Sequence, residues 1–465
     1  MMTDRWRQGQ ILEIEITDLN STGEGVGRWR GRVVFVPDTT PGDRILTRLT
    51  QVKPTYAVGK CLQIVEASPN RVRPACIVAD KCGGCQWQVV SYAAQLEAKQ
   101  RQVEAALRRI GGDMQSAAGD ASPVTVAPIL GAQASLAYRN KATYPLRRSP
   151  QGKVQAGYYR KGTHQIVNLN QCPVQDARLN PLLVGVKHDI QQQGWRIYDE
   201  KTQQGHLRHL SLRVGRRTGQ MLLTLVSAYR QLKNLAVQAQ LWLHQYPGLV
   251  GVALNHNPHH TNTLFGPETL CIAGQDYLEE RFAGLQFRIQ PATFFQIYTE
   301  QAERLLAVIV EELALNGDEY LVDAYCGIGA ITLPLAQRVR HCIGLEVHSE
   351  SIKQAALNAK LNGLTNVTFL AGSVESLLPS VIQMTPDKPD IILLDPPRKG
   401  CAPAVIDSLL ALNPPRIVYV SCNPATLARD LKRLCSEGGY QLTRLQPADF
   451  FPQTSHVECV AFLVR

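Results

Sequence analysis

The sequence predicts an α/β protein in three parts. A small β-barrel spans residues 1–68, a central β-rich α+β part spans 69–288, and a doubly wound parallel sheet spans 289–465. Three observations carry this. Residues 5 to about 66 alternate apolar and polar between Gly and Pro turns. From about 290, apolar runs alternate with amphipathic helical stretches. Between them lie a cysteine-bearing segment and a basic stretch without acids.

In the first part, "ILEIEITDL" alternates with period two, "GEGVGRWRGRVVFVP" reads as a glycine-rich hairpin, and the segment ending "KCLQIVE" continues the pattern. Short strands at this spacing imply a closed barrel, an OB-like architecture that often holds nucleic acid.

The second part opens on cysteines at 76, 82 and 85. The helix "SYAAQLEAKQRQVEAALRRIG" follows, with Ser91 as N-cap and Gly111-Gly112 at its end. "GGDMQSAAGDASP" reads as a flexible link. Residues 121–175 then hold seven cations (Arg139, Lys141, Arg147, Arg148, Lys153, Arg160, Lys161) and no Asp or Glu. Tyr138, Tyr144, Tyr158 and Tyr159 lie among them. Cations neutralise phosphates and aromatic faces stack on unpaired bases, so the stretch suits nucleic acid. The alternative is a solvated sheet face with its tyrosines half in the core. A net charge of +10 also favours a polyanionic partner.

The composition excludes other classes. No run of 18 or more apolar residues appears, so no membrane span is expected. "MMTDRWRQGQ" has no apolar core of a secretory signal, which makes the cytoplasm the expected location and the membrane no partner. Twelve cysteines in such a chain suggest metal or catalysis before disulfides.

In the third part, "EYLVDAY", "HCIGLEV", "NVTFLAG", "DIILLDPP" and "RIVYVSC" are five strands separated by helices. "LTRLQPADFF" and "HVECVAFLV" suit a closing antiparallel hairpin at one edge. "VDAYCGIGAITLPLA" runs strand, glycine turn, helix, placing Gly327 and Gly329 where open sheets bind ligands. Glu346 ends the second strand and Asp395 the fourth. Strand, D-x-x-x-G-x-G, helix, then an acid ending strand two, resembles the Rossmann-like domain of class I S-adenosylmethionine-dependent methyltransferases. The resemblance implies S-adenosyl-L-methionine as cofactor.

"VYVSCNPATLARD" ends the fifth strand on Cys422, beside Asp395. A buried cysteine is usually a small core residue. A thiol here has a chemical use, however. Carbon 5 of a pyrimidine is not nucleophilic until a nucleophile adds at C6, and a thiolate can add and leave again. After methyl transfer a base must remove the C5 proton. "DFFPQTSHVECVAFLV" offers His456 and Glu458 at the start of the last strand, and a carboxylate in an apolar setting has a raised pKa suited to that task.

"SCNPATLARD", "DFFPQTSHVECV" and "ATFFQIYTEQAERL" together resemble the RNA uracil-C5 methyltransferase family over essentially the whole chain. The resemblance implies Cys422 as nucleophile, Glu458 as proton acceptor, and Gln296, Tyr325, Glu346 and Asp395 as cofactor contacts. It also makes the barrel similar to a TRAM module, and "YRNKATYPL" and "AGYYRKGTHQIVNLNQCP" similar to the family's central RNA-binding region. Ala330 and Ser373 depart from polar residues that relatives can carry, so neither is assigned to the cofactor. Cytosine-C5 relatives carry a second cysteine where this chain has Arg398, which favours uracil. The expected partner is RNA, large-subunit (23S) ribosomal RNA before transfer RNA, acted on by a monomer.

Cys76, Cys82 and Cys85, spaced C-x5-C-x2-C, join Cys172 in "NQCPV" as four possible thiolate ligands. Four thiolates fit tetrahedral zinc or a [4Fe–4S] cluster. The resemblance implies the cluster, in a structural role. The other cysteines, Cys61, Cys271, Cys326, Cys342, Cys401, Cys435 and Cys459, read as packing residues. Two rival functions fit parts of the sequence: an N-directed nucleic-acid methyltransferase using "DPP", and a non-catalytic RNA-binding assembly factor.

Overall fold

The computed structural model describes residues 6–112, 126–259, 263–383 and 388–465. The expected link at 111–123 lies outside these beyond Gly112.

Strands β1 (Ile11–Leu19), β2 (Gly25–Trp29), β3 (Arg32–Val36), β4 (Arg44–Val52) and β5 (Tyr56–Glu66) close a barrel in the order β1-β2-β3-β5-β4. Alternation turns Ile14, Ile16, Val34, Val36, Ile45 and Leu49 inward to a small core. Gly59 is required on β5, because a Cβ there would sit 2.3 Å from Thr47 Oγ1.

Helix α1 (Tyr92–Ala106) starts at Ser91, whose hydroxyl accepts from the Ala94 amide at 3.4 Å. Beyond it lies a seven-stranded sheet. Its strands are β6 (Lys141–Arg148), β7 (Val154–Tyr159), β8 (Ile166–Asn168), β9 (Leu207–Val214), β10 (Met221–Ser227), β11 (Leu249–His256) and β12 (Glu268–Gly274), in the order β12-β11-β10-β9-β6-β7-β8. Helices α2 (Leu179–Gln192) and α3 (Leu235–Gln245) bury Leu182, Val186, Ile190 and Trp242 against Leu210, Leu212, Leu223 and Leu225. Period two therefore sends Lys141, Thr143, Ser211 and Arg213 to the opposite face. A hairpin, β13 (Leu278–Phe282) and β14 (Leu285–Ile289), leads into α4 (Thr299–Leu313).

The C-terminal sheet holds β15 (Tyr320–Asp323), β16 (His341–Glu346), β17 (Val367–Ala371), β18 (Ile391–Leu394), β19 (Arg416–Ser421), β20 (Gln441–Ala448) and β21 (Glu458–Val464). Its order is β17-β16-β15-β18-β19-β21-β20. The first five are parallel, and β21 enters antiparallel between β19 and β20. Helices α5 (Thr332–Ala336), α6 (Ser349–Leu361), α7 (Val374–Leu377), α8 (Pro403–Leu412) and α9 (Pro424–Gly438) complete the domain, with one apolar core on each face of the sheet. Strands covered on both faces read as unbroken apolar runs, as in "IILL" of β18.

The 449–457 loop between β20 and β21 is gripped from several sides. Lys99 of α1 meets Asp449 at 2.5 Å with both side chains fully buried. Gln86 and Trp87 amides donate to the Gln453 carbonyl at 3.1 and 3.0 Å. Tyr138 donates to Pro452 O at 3.1 Å, and Ser455 donates to Ser21 O of the barrel at 2.8 Å. All parts of the chain thus hold the loop that leads into Glu458.

Candidate active site

At the end of β15, the Asp323 carboxylate accepts from Thr332 Oγ1 at 2.6 Å and from the Tyr325 amide at 3.3 Å, bracing the glycine turn from beneath. Gly327 and Gly329 have φ of 55° and 88°, a backbone region suited to glycine. Burial pushes the Asp323 carboxyl up to about 6. Glu346, ending β16, accepts from the Gly327 amide at 3.3 Å and from His348 N at 2.9 Å, which fixes its carboxylate beside the turn. Tyr325 is half-buried, and burial, then the Cys401 thiol, raises its phenol. Gln296 lies in the turn before α4, with its carbonyl held by Asn140 Nδ2 at 2.8 Å.

Two strand ends and one strand start converge on Cys422. Asn423 caps α9 by accepting from Ala425 N at 3.1 Å, and Pro424 opens the helix, so the chain turns sharply just past the thiol. β19 and β21 pair Ser421 with Cys459. Cys422 follows Ser421 and Glu458 precedes Cys459, so both leave the end of this ladder. Burial, then Asp395, pushes Glu458 up to about 8. Burial, then Glu458 and Asp395, pushes the Cys422 thiol up to about 11. Asp395 itself rises to about 7, through burial and then Asp323. Negative charge on either carboxyl disfavours the Cys422 thiolate.

Sequence reasoning does not single out Arg398 as a site residue, yet its charge opposes these upward shifts at both Cys422 and Glu458. Its Nη2 lies 3.3 Å from His456 Nε2, so the ring accepts there. Burial, then Arg398, lowers His456 to about 4 and keeps the imidazole neutral. The available signal was a cation three residues after Asp395.

Cys76, Cys82, Cys85 and Cys172 line one cavity of about 60 Å³ together with Arg139, Gln88 and Tyr158. Burial pushes Cys85 up to about 11 and Cys172 to about 12. Arg139 Nε is buried there without a hydrogen-bond partner. Among the described residues, no three His, Cys, Asp or Glu side chains gather closely enough to hold one metal ion.

The basic stretch divides in two. Tyr138 and Tyr144 are fully buried core residues, and Arg139 faces the cysteines, so none of these presents a stacking or phosphate surface. Tyr159 is exposed, and with Arg160 and His164 it lines a groove of about 780 Å³ against barrel residues Thr22, Glu24 and Asp38. Cys271 is exposed on β12, contrary to its expected packing role.

Five parallel strands extended by an antiparallel pair, with a glycine turn after the first strand and an acid ending the second, define a class I methyltransferase domain. The chain belongs to the tRNA (uracil-5-)-methyltransferase family, whose model matches residues 266–465, and it carries a TRAM domain over residues 5–62. It is 60% identical over 464 residues to an uncharacterized RNA methyltransferase of Nostoc sp. (strain PCC 7120), covering 100% of this chain and 98% of that one. It is 54% identical over 458 residues to an uncharacterized RNA methyltransferase of Synechocystis sp. (strain PCC 6803), covering 98% and 96%. Among solved structures it is similar to the tRNA (uracil-54, C5)-methyltransferase of Pyrococcus abyssi in complex with S-adenosyl-L-homocysteine. There the TM-score is 0.75 at 26% identity, covering 97% of this chain and 99% of that one. The chain is an S-adenosylmethionine-dependent RNA methyltransferase.

Proposed function

We propose that this enzyme methylates C5 of a uridine in RNA through a transient Cys422–C6 bond. The observation that carries the reading is the closeness of Cys422, at the end of the β19–β21 ladder, to the carboxyls of Glu458 and Asp395, both of which act on its thiol. Gln296, Tyr325, Glu346 and Asp395 hold S-adenosylmethionine, which supplies the methyl group. The Cys422 thiolate adds to C6 of the uracil and the electron pair of the C5=C6 bond moves to C5 and O4. C5 takes the methyl group, and S-adenosylhomocysteine departs. Glu458 removes the remaining C5 proton, C5=C6 re-forms, and the thiolate leaves. A carboxyl near 8 is placed to take that proton and return it to water. Arg398 favours the anionic forms of both groups.

The target base must leave its stack, at a cost of a few kcal/mol. The groove lined by Tyr159, Arg160 and His164 offers stacking and phosphate contacts that offset it. We assign Cys76, Cys82, Cys85 and Cys172 to a structural [4Fe–4S] cluster. All four line one cavity, and four cysteine thiolates are the ligand set of such a cluster. The orphaned Arg139 Nε complements the negative charge that four thiolates would bring. The cluster pins the segment whose Gln86 and Trp87 amides hold the 449–457 loop.

The favoured target is large-subunit ribosomal RNA, on the pairing of a barrel with four clustered cysteines. The likeness to a transfer-RNA enzyme supports a second reading. Mapping 5-methyluridine in both RNAs from a deletion strain tests the proposal. One uridine unmodified in the deletion strain and restored by the gene identifies the target. Unchanged 5-methyluridine in both RNAs rejects both readings.

A further inference from the structure

Lys141 and Arg213 are direct cross-strand partners on β6 and β9, on the sheet face turned away from α2 and α3. Like charges in that position repel. No acid among the described residues pairs with either one. Arg213 is 5% exposed. Its Nη2 donates to Thr293 O at 2.8 Å, while Nε and Nη1 are buried without a partner. Lys141 is half-buried in front of it, its Nζ 4.7 Å from the centre of the Phe265 ring. Burial lowers Arg213 to about 10, and burial and then Arg213 lower Lys141 well below its ordinary value. Two basic groups are therefore held together with nothing negative beside them, and an arriving anion would favour their charged forms.

The surroundings suit a nucleic-acid strand. Thr143 and Ser211, the next cross-strand pair on this face, present hydroxyls 2.9 Å apart. Phe294, directly after Thr293, is 67% exposed, and Gln296 of the cofactor set lies two residues on. Aromatic faces beside cations are the composition of a single-strand platform.

We propose that Lys141 and Arg213 form an oxyanion site that receives a backbone phosphate of the RNA near the target uridine, with Lys141 at the opening and Arg213 behind it. The proposal rests on the reading of RNA as substrate. The same chemistry could accept the carboxylate of S-adenosylmethionine, and the test separates the two.

Binding of a labelled single-stranded oligouridine of about 12 residues is measured over a salt series. The proteins are wild type, Lys141→Gln, Lys141→Arg and Arg213→Gln, each checked for folding by circular dichroism. S-adenosylmethionine binding is measured in parallel. The expected result is a salt slope smaller by about 0.7 in Lys141→Gln, one phosphate contact on a single strand. Lys141→Arg keeps the wild-type slope, and cofactor affinity is unchanged. A wild-type slope in Lys141→Gln overturns the site, as does lost cofactor affinity with an unchanged slope, which assigns the pair to the cofactor carboxylate. Should Arg213→Gln not fold, the Lys141 pair decides alone. Wild type without salt-dependent RNA binding would sink both the site and the RNA reading. Altered slopes nowhere, in an enzyme that still methylates RNA, would sink the site only.

Discussion

Cys422 and Glu458 flank Ser421–Cys459, the last pair of the β19–β21 ladder, and the Glu458 charge acts on the Cys422 thiol. Thiol and carboxyl lie close together, and the Glu458 charge raises the Cys422 thiol. Burial, then Asp395, raises the Glu458 carboxyl in turn, and this gives the site its expected dependence on protons.

The release step should accelerate with pH. Glu458 works as a base only when ionised, and its carboxyl sits near 8. Its ionised fraction grows about tenfold per pH unit below that point and levels above it. Single-turnover release of methylated RNA should follow this curve. A release rate flat from the ordinary carboxylate range upward would argue against Glu458 as the base.

Glu458→Gln removes the base but leaves the nucleophile. The variant should methylate RNA and remain covalently attached to it, with release slowed by about 10²–10⁴. Denaturing gels with methyl-labelled cofactor read this directly. Normal release from the variant would assign the proton transfer elsewhere.

The fold was legible where its cause is local. Period-two alternation marked the barrel, apolar runs marked the covered parallel strands, and the glycine turn marked the first strand end. For the tyrosines of 121–175 the sequence left stacking surface and half-buried core open, and the structure divides them: Tyr159 is exposed, Tyr138 and Tyr144 are core. Tyr144 points into the α2/α3 core, and Tyr138 points to Pro452. Arg398 escaped because its neighbours, His456 and Glu458, lie some sixty residues onward and only the β21 register brings them together. Lys99 and Asp449 are equally remote, and no local pattern announces a buried ion pair.

That pair gives a stability expectation. Lys99→Met strands the buried Asp449 charge and should cost about 3–5 kcal/mol, seen as a lower unfolding temperature. Lys99→Met with Asp449→Leu removes both charges and should recover much of the loss. Equal destabilisation by single and double variants would mean that packing, not the charge, dominates.

For the cysteines, anaerobically purified protein should contain iron and sulfide and absorb broadly in the visible. Cys82→Ser should lose the colour. Protein that is colourless and zinc-loaded under those conditions would replace the cluster with a tetrahedral ion.

The most direct test of the central claim uses RNA carrying 5-fluorouridine, whose fluorine cannot be removed as a proton. Wild-type enzyme with S-adenosylmethionine should form a stable adduct, and peptide mass spectrometry should locate the modified nucleotide on Cys422. Cys422→Ala should form none. An adduct of equal yield in Cys422→Ala, or one mapped to another residue, would contradict the account.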